Sequence, residues 1–368
     1  MRKTYIDNIR WITVVLVVIY HIIFMFNGIV SFSVIGPFKD VQYQDAYQYI
    51  VYPWFMLLLF VVSGMSARFS IVKTEAKKFI RQRTIKYLVP STLGLFVFWW
   101  ILGYYNMLLG GVFTDMGSLP KPILYFIMAL SGVGPLWYIQ MLWVFSVLLV
   151  LIRKIEKDRL YNKLGKTPVL VVILLVVLIY GAALILNTPV ITVYRFGIYG
   201  AGFFIGYFVF SHDEVMDRIE KWWHILSAIA IICGVAFVIM YWGQNFADAT
   251  VLETIMCNVY AWFATIAILA VMKKWGNFEN SFTRFMNKKS WGIYLFHYLT
   301  LIVPAYYMHV YAPNLPGIVH YIVTAICAFG GSILLYEIFS RIPVIRYLVC
   351  GSKKEKGLLD LIRMGRNM

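Results

Sequence analysis

The chain has 368 residues, of which 61% are hydrophobic and only 14% are charged. This composition excludes a soluble globular domain and is typical of a protein that crosses a membrane several times. A net charge of +16 would suit nucleic-acid binding in a soluble protein, but the positions of the basic residues point to another cause.

Ten apolar stretches come near the length of about 20 residues that a spanning helix needs. In chain order they are 11–29, 49–67, 87–105, 136–152, 168–187, 194–210, 224–242, 255–272, 290–309 and 318–340. The sequence therefore predicts an all-α integral membrane protein, a bundle of ten transmembrane helices with both termini cytoplasmic. Residues 1–340 would form the transmembrane domain, and 341–368 a basic amphipathic cytoplasmic tail along anionic lipid headgroups.

The basic residues follow the predicted topology. With the N-terminus inside, 30 of the 33 Lys and Arg residues fall on the cytoplasmic side, and the exceptions are Lys39, Lys121 and Arg195. This asymmetry is the positive-inside pattern of multi-pass proteins of a cell membrane. The sequence therefore predicts that the basic residues contact the lipid bilayer and not nucleic acid.

The cysteines show neither paired nor metal-binding spacing. Four of them are scattered through or beside apolar stretches, at Cys233, Cys257, Cys327 and Cys350. The sequence predicts no metal site and no structural disulfide here, and small packing residues instead.

The first span carries two ionisable residues on one face. Arg10 stands at its cytoplasmic mouth and His21 follows eleven residues later, which at about 100° per residue puts both on one stripe about 16 Å apart. A lone histidine there could be a hydrogen-bonded packing residue. An ionisable group in hydrocarbon is nevertheless a functional candidate by default, and a neutral imidazole is suited to take a proton from a hydroxyl.

Basic residues also stand at the cytoplasmic entrance of the third span. Arg83 and Lys86 are three residues apart, so one helical face could present both to a phosphate group. The alternative is that Arg81, Arg83 and Lys86 only satisfy the charge asymmetry of the topology.

Three further residues are candidates for a cavity or a supporting role. Ser63 could line a cavity or serve as a small-residue helix contact. Trp137 could wall a tunnel or mark the membrane interface, and His297 could be a hydrogen-bonding partner inside the ninth span.

Two charged residues near span ends have alternative partners. Glu337 could pair with Arg341 one turn later or with an arginine of the basic mouth. Arg195 could hold an anionic acceptor, although we expect it to extend its charge to the membrane surface.

Five motifs stand in order along the chain: Arg10-x10-His21, "FVVSGM" (60–65), Arg83-Thr-Ile-Lys86 before "YLVP", "GPLWYIQMLW" (134–143) and "KKSWGIYLFH" (288–297). Together they resemble those of a known family, the type three membrane acyltransferases, which O-acylate glycans and other acceptors. The resemblance covers nearly the whole chain.

The resemblance implies an activity and a set of roles. It implies transfer of an acyl group, acetyl or succinyl, from cytoplasmic acyl-CoA, above all acetyl-CoA, to a hydroxyl of a glycan or other acceptor. His21 would be the catalytic histidine, and Arg10, Arg83 and Lys86 would organise the CoA entrance. Lys86 stands where the family has a second arginine, so it keeps the charge and loses the bidentate fork.

Two other classes of function remain open at this point. A transporter or exporter of a glycan or small metabolite would be expected to show internal repeats and broken helices in matching halves, and the sequence has neither. A non-catalytic membrane sensor on the same scaffold would be expected to lack His21 or the basic mouth, and both are present.

Overall fold

The chain is helical throughout the residues that can be described. The computed structural model describes residues 3–30, 32–116, 119–188 and 193–352, and these contain helices and no β-strand. Within them the α-helices are α1 (Thr4–Met25), α2 (Ala46–Ile71), α3 (Ala76–Arg83), α4 (Val89–Ser91), α5 (Trp100–Leu109), α6 (Val112–Met116), α7 (Lys121–Ser131), α8 (Trp137–Glu156), α9 (Arg159–Leu164), α10 (Val169–Ala183), α11 (Phe196–Ile205), α12 (Asp213–Glu220), α13 (Trp223–Tyr241), α14 (Ala249–Leu252), α15 (Ile255–Trp275), α16 (Ser281–Tyr311), α17 (Gly317–Ile326), α18 (Ser332–Phe339) and α19 (Pro343–Leu348).

Short segments of other helix types join several of these helices end to end. The 3₁₀ segments are Tyr43–Asp45 and Gly134–Leu136, and the π-helical segments are Thr84–Leu88, Leu95–Trp99, Gly206–Phe210 and Cys327–Gly331. A π-helical turn is rare and is often found at a functional site.

Seven helical stretches in the described part of the chain are long and apolar enough to cross a membrane. They are Thr4–Met25, Tyr43–Ile71, Ala76–Leu109, Gly134–Glu156, Trp223–Tyr241, Ile255–Trp275 and Gly317–Phe339, and the shorter apolar helices are Lys121–Ser131, Val169–Ala183 and Phe196–Phe210. Each of the ten predicted stretches coincides with a helix, and the ninth corresponds to the 31-residue α16. The multi-pass helical architecture is confirmed, whereas the count of ten and the sides of the termini remain predictions.

Helix α2 lies at the centre of the bundle and α13 at its periphery. The apolar part of the α2 stretch is 78% buried, against 22% for α13. Helix α2 packs against α1, α11, α13 and α15. Its contact with α11 depends on glycine, because a Cβ on Gly64 would lie 1.9 Å from the carbonyl oxygen of Phe203. Small residues allow this close backbone approach between membrane helices.

Helix α1 lies between α2 and α16, and these three helices carry Arg10, His21, Ser63 and His297, half of the predicted site residues. The start of α1 is anchored because Asn8 donates hydrogen bonds to the carbonyl oxygens of Gly276 and Phe278 at 2.8 and 2.9 Å. Helix α16 begins at a capping box formed by Asn280 and Thr283. We call the end of the bundle where α1 begins the Arg10 end, and the opposite end the His21 end.

The end of α2 is held by a charged cluster at the Arg10 end. Arg68 donates to Asp158 at 2.5 Å, and its guanidinium lies 3.5 Å from the centre of the Tyr161 ring. Burial by itself would raise the pKa of the Asp158 carboxyl, but the hydrogen bond and charge of Arg68 hold that pKa below its ordinary value. Asp158 follows α8 in a left-handed conformation, so the ion pair fixes the turn between α8 and α9.

The first part of the predicted tail packs on the bundle. Trp291 donates a hydrogen bond to the carbonyl oxygen of Cys350 at 3.0 Å. Gly351 has a φ of +63°, and a Cβ there would lie 2.5 Å from the carbonyl oxygen of Lys86, so this position requires glycine. The rest of the predicted amphipathic tail, 353–368, lies outside the described residues.

Candidate functional site

A cavity of about 390 Å³ opens at the Arg10 end between α1, α2, α8, α16 and the π-helical segment Thr84–Leu88. Its lining residues are Asp7, Arg10, Val14, Leu59, Ser63, Ser66, Arg83, Lys86, Tyr87, Tyr138, Leu142, Asn287, Ser290, Trp291 and Tyr294. The structure therefore brings together the three predicted basic residues Arg10, Arg83 and Lys86 with Ser63.

The charge of this cavity is positive, because Arg10, Arg83 and Lys86 line it with Asp7 as the one carboxylate. Asp7 accepts a hydrogen bond from Arg10 at 3.0 Å, and Arg10 also bonds the Ser66 hydroxyl. These two contacts hold the Arg10 guanidinium at the mouth, and the cavity retains an excess of positive charge.

The other two cations are held by aromatic side chains. Lys86 Nζ lies 4.7 Å from the centre of the Trp291 ring, and Arg83 Nη1 donates to the Tyr87 hydroxyl at 2.5 Å. Among the residues that the structure describes, no carboxylate lies within 4 Å of either side chain. Cation–π contacts leave the charge itself unneutralised, so both groups are suited to bind an anion.

The deep end of the cavity is formed by Val14, Ser63, Tyr138 and Tyr294. The hydroxyls of Ser63 and Tyr138 are 2.8 Å apart, and Tyr294 donates to the carbonyl oxygen of Pro135 at 2.5 Å. His21 does not line this cavity. It lies seven residues beyond Val14 on α1, about 10 Å further along the helix axis.

His21 forms a pair with His297 across the contact of α1 and α16. His297 Nε2 lies 3.1 Å from His21 Nδ1, and the same Nδ1 lies 2.9 Å from the carbonyl oxygen of Val17. His297 is fully buried, and its Nδ1 lies 2.8 Å from the carbonyl oxygen of Tyr294 and 3.1 Å from that of Ile293.

These contacts assign the ring protons of the pair. A carbonyl oxygen only accepts, so Nδ1 of His297 carries a proton and Nε2 of the neutral ring is an acceptor. The Nδ1 of His21 then donates, shared between the Val17 carbonyl and His297. The lone pair of His21 is consequently on Nε2, for which the described residues provide no hydrogen-bonding partner.

Tyrosines surround His21. The ring centres of Tyr20 and Tyr298 lie 5.0 and 4.9 Å from that of His21, and Tyr52 lies 5.5 Å from Tyr20. The hydroxyls of Tyr20, Tyr52 and Tyr298 make no hydrogen bond within the described ranges. His21 itself is partly exposed. The chemistry available here is a neutral imidazole nitrogen among hydroxyl groups in an otherwise apolar environment.

Two other candidates lie away from the cavity. Trp137 packs in an aromatic cluster with Phe60 and Tyr199, at ring-centre distances of 6.2 and 5.6 Å. Glu337 forms ion pairs with Lys289 and, at 3.9 Å, with Arg341, and with no arginine of the mouth.

Arg195 is buried, so the expectation that it extends to the membrane surface is wrong. Only 7% of the residue is exposed, and its Nη2 donates to the carbonyl oxygen of Leu252 at 3.1 Å. Arg195 precedes α11, and its backbone pairs with that of Asn187 in an isolated bridge. The contact with Leu252 holds the side chain against the end of α14.

The sequence did not predict several polar residues of the cavity, among them Asp7, Ser66, Tyr138 and Tyr294, although two of these carried a signal. Asp7 stands three residues before Arg10, the spacing of a helical ion pair. Ser66 stands three residues after Ser63 and so shares its face of α2. Tyr138 and Tyr294 lie inside the motifs 134–143 and 288–297, but nothing within the motifs singled them out, because tyrosine near a span end is ordinary in membrane proteins.

Comparison with known proteins gives one match. A family model described as an acyltransferase domain matches residues 3–337. No curated protein and no solved structure matches the chain.

Proposed function

Because the chain belongs to the type three acyltransferase family, we propose that it is a membrane O-acyltransferase that uses acyl-CoA. It moves an acetyl or succinyl group from cytoplasmic acyl-CoA to a hydroxyl of a glycan or other acceptor at or across the membrane. The observation that carries this proposal is the position of a positively charged cavity and a histidine with a free nitrogen along one helix, α1.

The basic cavity is the proposed donor site. Coenzyme A carries phosphate groups at one end and the thioester at the end of a long flexible arm. In the described part of the chain, Arg83 and Lys86 are paired with aromatic side chains and with no carboxylate. Binding of a phosphate there would therefore break no internal ion pair. The arm then extends past Val14 toward His21, on the face of α1 that Arg10 shares.

His21 is the proposed general base. Its Nε2 takes the proton of the acceptor hydroxyl while the hydroxyl oxygen attacks the thioester carbonyl. The tetrahedral intermediate collapses, the carbon–sulfur bond breaks, and the CoA thiolate receives the proton from Nε2. The Nδ1 proton stays on His21 throughout, held by Val17 and His297.

The alternative role of His21 as a transient acyl carrier uses the same nitrogen. Incubating purified protein with radiolabelled acetyl-CoA and no acceptor distinguishes the two. A general base leaves the protein unlabelled after denaturation at neutral pH, whereas an acyl carrier retains label that His21→Ala abolishes.

We also propose a location. The protein spans a cell membrane with both termini cytoplasmic, because 30 of 33 Lys and Arg residues then lie on the cytoplasmic side. This orientation places the Arg10 end, and with it the donor cavity, in contact with the cytoplasmic supply of acyl-CoA.

Membranes that contain the protein provide the test. Radiolabelled acetyl-CoA and succinyl-CoA are supplied to membranes with wild type, His21→Ala or His309→Ala, and lipid and glycan fractions are examined for label. His309 is an exposed histidine of α16 and is the control. We expect label with wild type and His309→Ala, and a loss of at least about a hundredfold with His21→Ala. Equal labelling in all three would refute the proposal.

A further inference from the structure

The structure also contains a cation that is buried, at the opposite end of the bundle from the donor cavity. Arg195 lies at the His21 end, immediately before α11, and is 7% exposed. A guanidinium has five N–H donors, and in the described ranges that of Arg195 has two hydrogen-bonding partners, the carbonyl oxygen of Leu252 and the hydroxyl of Tyr199. In the described ranges no carboxylate lies within 4 Å of it.

A buried charge of this kind needs a compensating partner. Removing a guanidinium from water costs several kcal/mol, and most buried charges in proteins are paired. Arg195 instead interacts electrostatically with the hydroxyl groups of Tyr52 and Tyr199, and it also hydrogen-bonds the Tyr199 hydroxyl. These groups are neutral, so the positive charge is retained and surrounded by further hydrogen-bonding groups.

Tyr52 connects this cation to the histidine pair. Its ring centre lies 5.5 Å from that of Tyr20, which in turn lies 5.0 Å from that of His21. Tyr199 is stacked on Phe60 at 4.8 Å, which fixes the other side of the group. The rings of Tyr52 and Tyr20 therefore lie between Arg195 and His21.

We propose that Arg195, with the hydroxyls of Tyr52 and Tyr199, binds an anionic group of the acceptor while His21 activates a neighbouring hydroxyl. This inference rests on the proposed function and adds the class of acceptor: a hydroxylated molecule that bears a carboxylate or a phosphate, such as a hexuronate or a sugar phosphate. The tyrosine rings provide stacking surface for the sugar, and the guanidinium provides a bidentate contact to the acid.

The arrangement separates the charges of the two substrates. Donor phosphates bind Arg83 and Lys86 at the Arg10 end, and the acid of the acceptor binds Arg195 at the His21 end. A neutral acceptor would leave the buried guanidinium without a counter-charge. The acceptor site therefore discriminates against neutral sugars by the cost of that unpaired charge.

Binding to the purified full-length protein in detergent tests this assignment. The probes are methyl glucuronide, methyl glucoside 6-phosphate and neutral methyl glucoside, which differ at one position, and acetyl-CoA as a donor probe. Dissociation constants are measured by thermal unfolding with wild type, Arg195→Gln, Arg195→Lys and Arg83→Gln.

We expect wild type to bind at least one acidic probe tenfold or more tightly than the neutral glucoside. Arg195→Gln is expected to remove this preference, Arg195→Lys to keep most of it, and both to bind acetyl-CoA as wild type does. Arg83→Gln is expected to show the reverse, with weaker acetyl-CoA binding and an unchanged preference for the acid.

Either of two results overturns the acceptor assignment alone. One is that wild type binds the acidic and neutral probes equally, or binds neither acidic probe. This measurement uses wild type alone, so it does not depend on whether a variant folds. The other is a preference for acid that persists in Arg195→Gln. Failure of the proposed function has a different signature, namely no acetyl-CoA binding by wild type and no transfer of label in membranes.

Discussion

The histidine pair leads to a quantitative prediction about His297. Replacing His297 with Phe keeps a ring in the buried space and removes the acceptor for the Nδ1 proton of His21, 3.1 Å away. The carbonyl oxygen of Val17, 2.9 Å from the same nitrogen, remains and still holds the proton there. His21 therefore keeps its reactive Nε2 and loses only one of two orienting contacts.

The size of the loss follows from this redundancy. A net hydrogen bond between neutral groups contributes about 0.5–1.5 kcal/mol. Since about 1.4 kcal/mol corresponds to a factor of ten in rate, we expect His297→Phe to lower kcat about fivefold and to leave KM for acetyl-CoA unchanged. Removing the base itself with His21→Ala should cost about a hundredfold or more.

The assay is the initial rate of acetyl transfer in membranes at saturating acetyl-CoA, for wild type, His297→Phe, His297→Gln and His320→Phe. Gln supplies an amide oxygen in place of Nε2 and should recover part of the loss. His320 is a buried histidine of α17 without a hydrogen-bonding partner, so His320→Phe controls for the loss of an imidazole. A fall for His297→Phe as large as for His21→Ala would refute the reasoning, because His297 would then be the base.

Three further predictions concern the donor cavity and the support of the helices around it. Lys86→Glu should raise the KM for acetyl-CoA at least about tenfold, while the KM of Lys86→Arg should stay within about threefold of that of wild type. Equal KM values for the two variants would mean that Lys86 does not contact the donor. Gly351→Ala should lower the melting temperature by about 2 °C more than Gly243→Ala. Both glycines have positive φ, but only a Cβ at 351 would meet a backbone oxygen, that of Lys86. Equal shifts in melting temperature would argue against this contact. Because Arg68 lowers the pKa of Asp158, their ion pair stabilises the fold above the ordinary pKa of 3.8 and is lost as the pH falls through the lower folded value. Thermal unfolding of Asp158→Asn should show reduced stability at pH 7 and a weaker dependence between about pH 5 and pH 3, and a pH profile parallel to wild type would contradict this.

The parts of the site that depend on one helix could be predicted from the sequence. Helical period alone places Arg10 and His21 on one face of α1, and the spacing of Arg83 and Lys86 suggests a joint anion site. In the structure, Arg10, Arg83 and Lys86 line one cavity, and their role there stays a prediction. All of these inferences use residues within one or a few turns of each other, where the geometry of the helix decides the outcome.

The parts of the site that depend on packing between helices could not be predicted from the sequence. His21 and His297 are 276 residues apart, and their contact exists because α1 and α16 pack side by side. No periodicity within either helix specifies that neighbour. Arg195 shows the same limit, since its side chain is buried against Leu252, a contact with a distant part of the chain that hydropathy does not report.

The π-helical segment Thr84–Leu88 has a consequence for how the chain tolerates changes in length. A π-helical turn accommodates one residue more than an α-helical turn, so this segment behaves as a single-residue insertion within a continuous helix. Deleting one residue there would let the helix revert to regular α-geometry and rotate one flank by about 100° relative to the other. Where the deleted residue lies between Arg83 and Lys86, these two side chains would then face different directions in a helix that remains intact. An alignment of related chains across this segment should therefore allow a gap of one residue. Without the gap, basic residues would be matched by their three-residue spacing in the sequence even where their side chains face different directions.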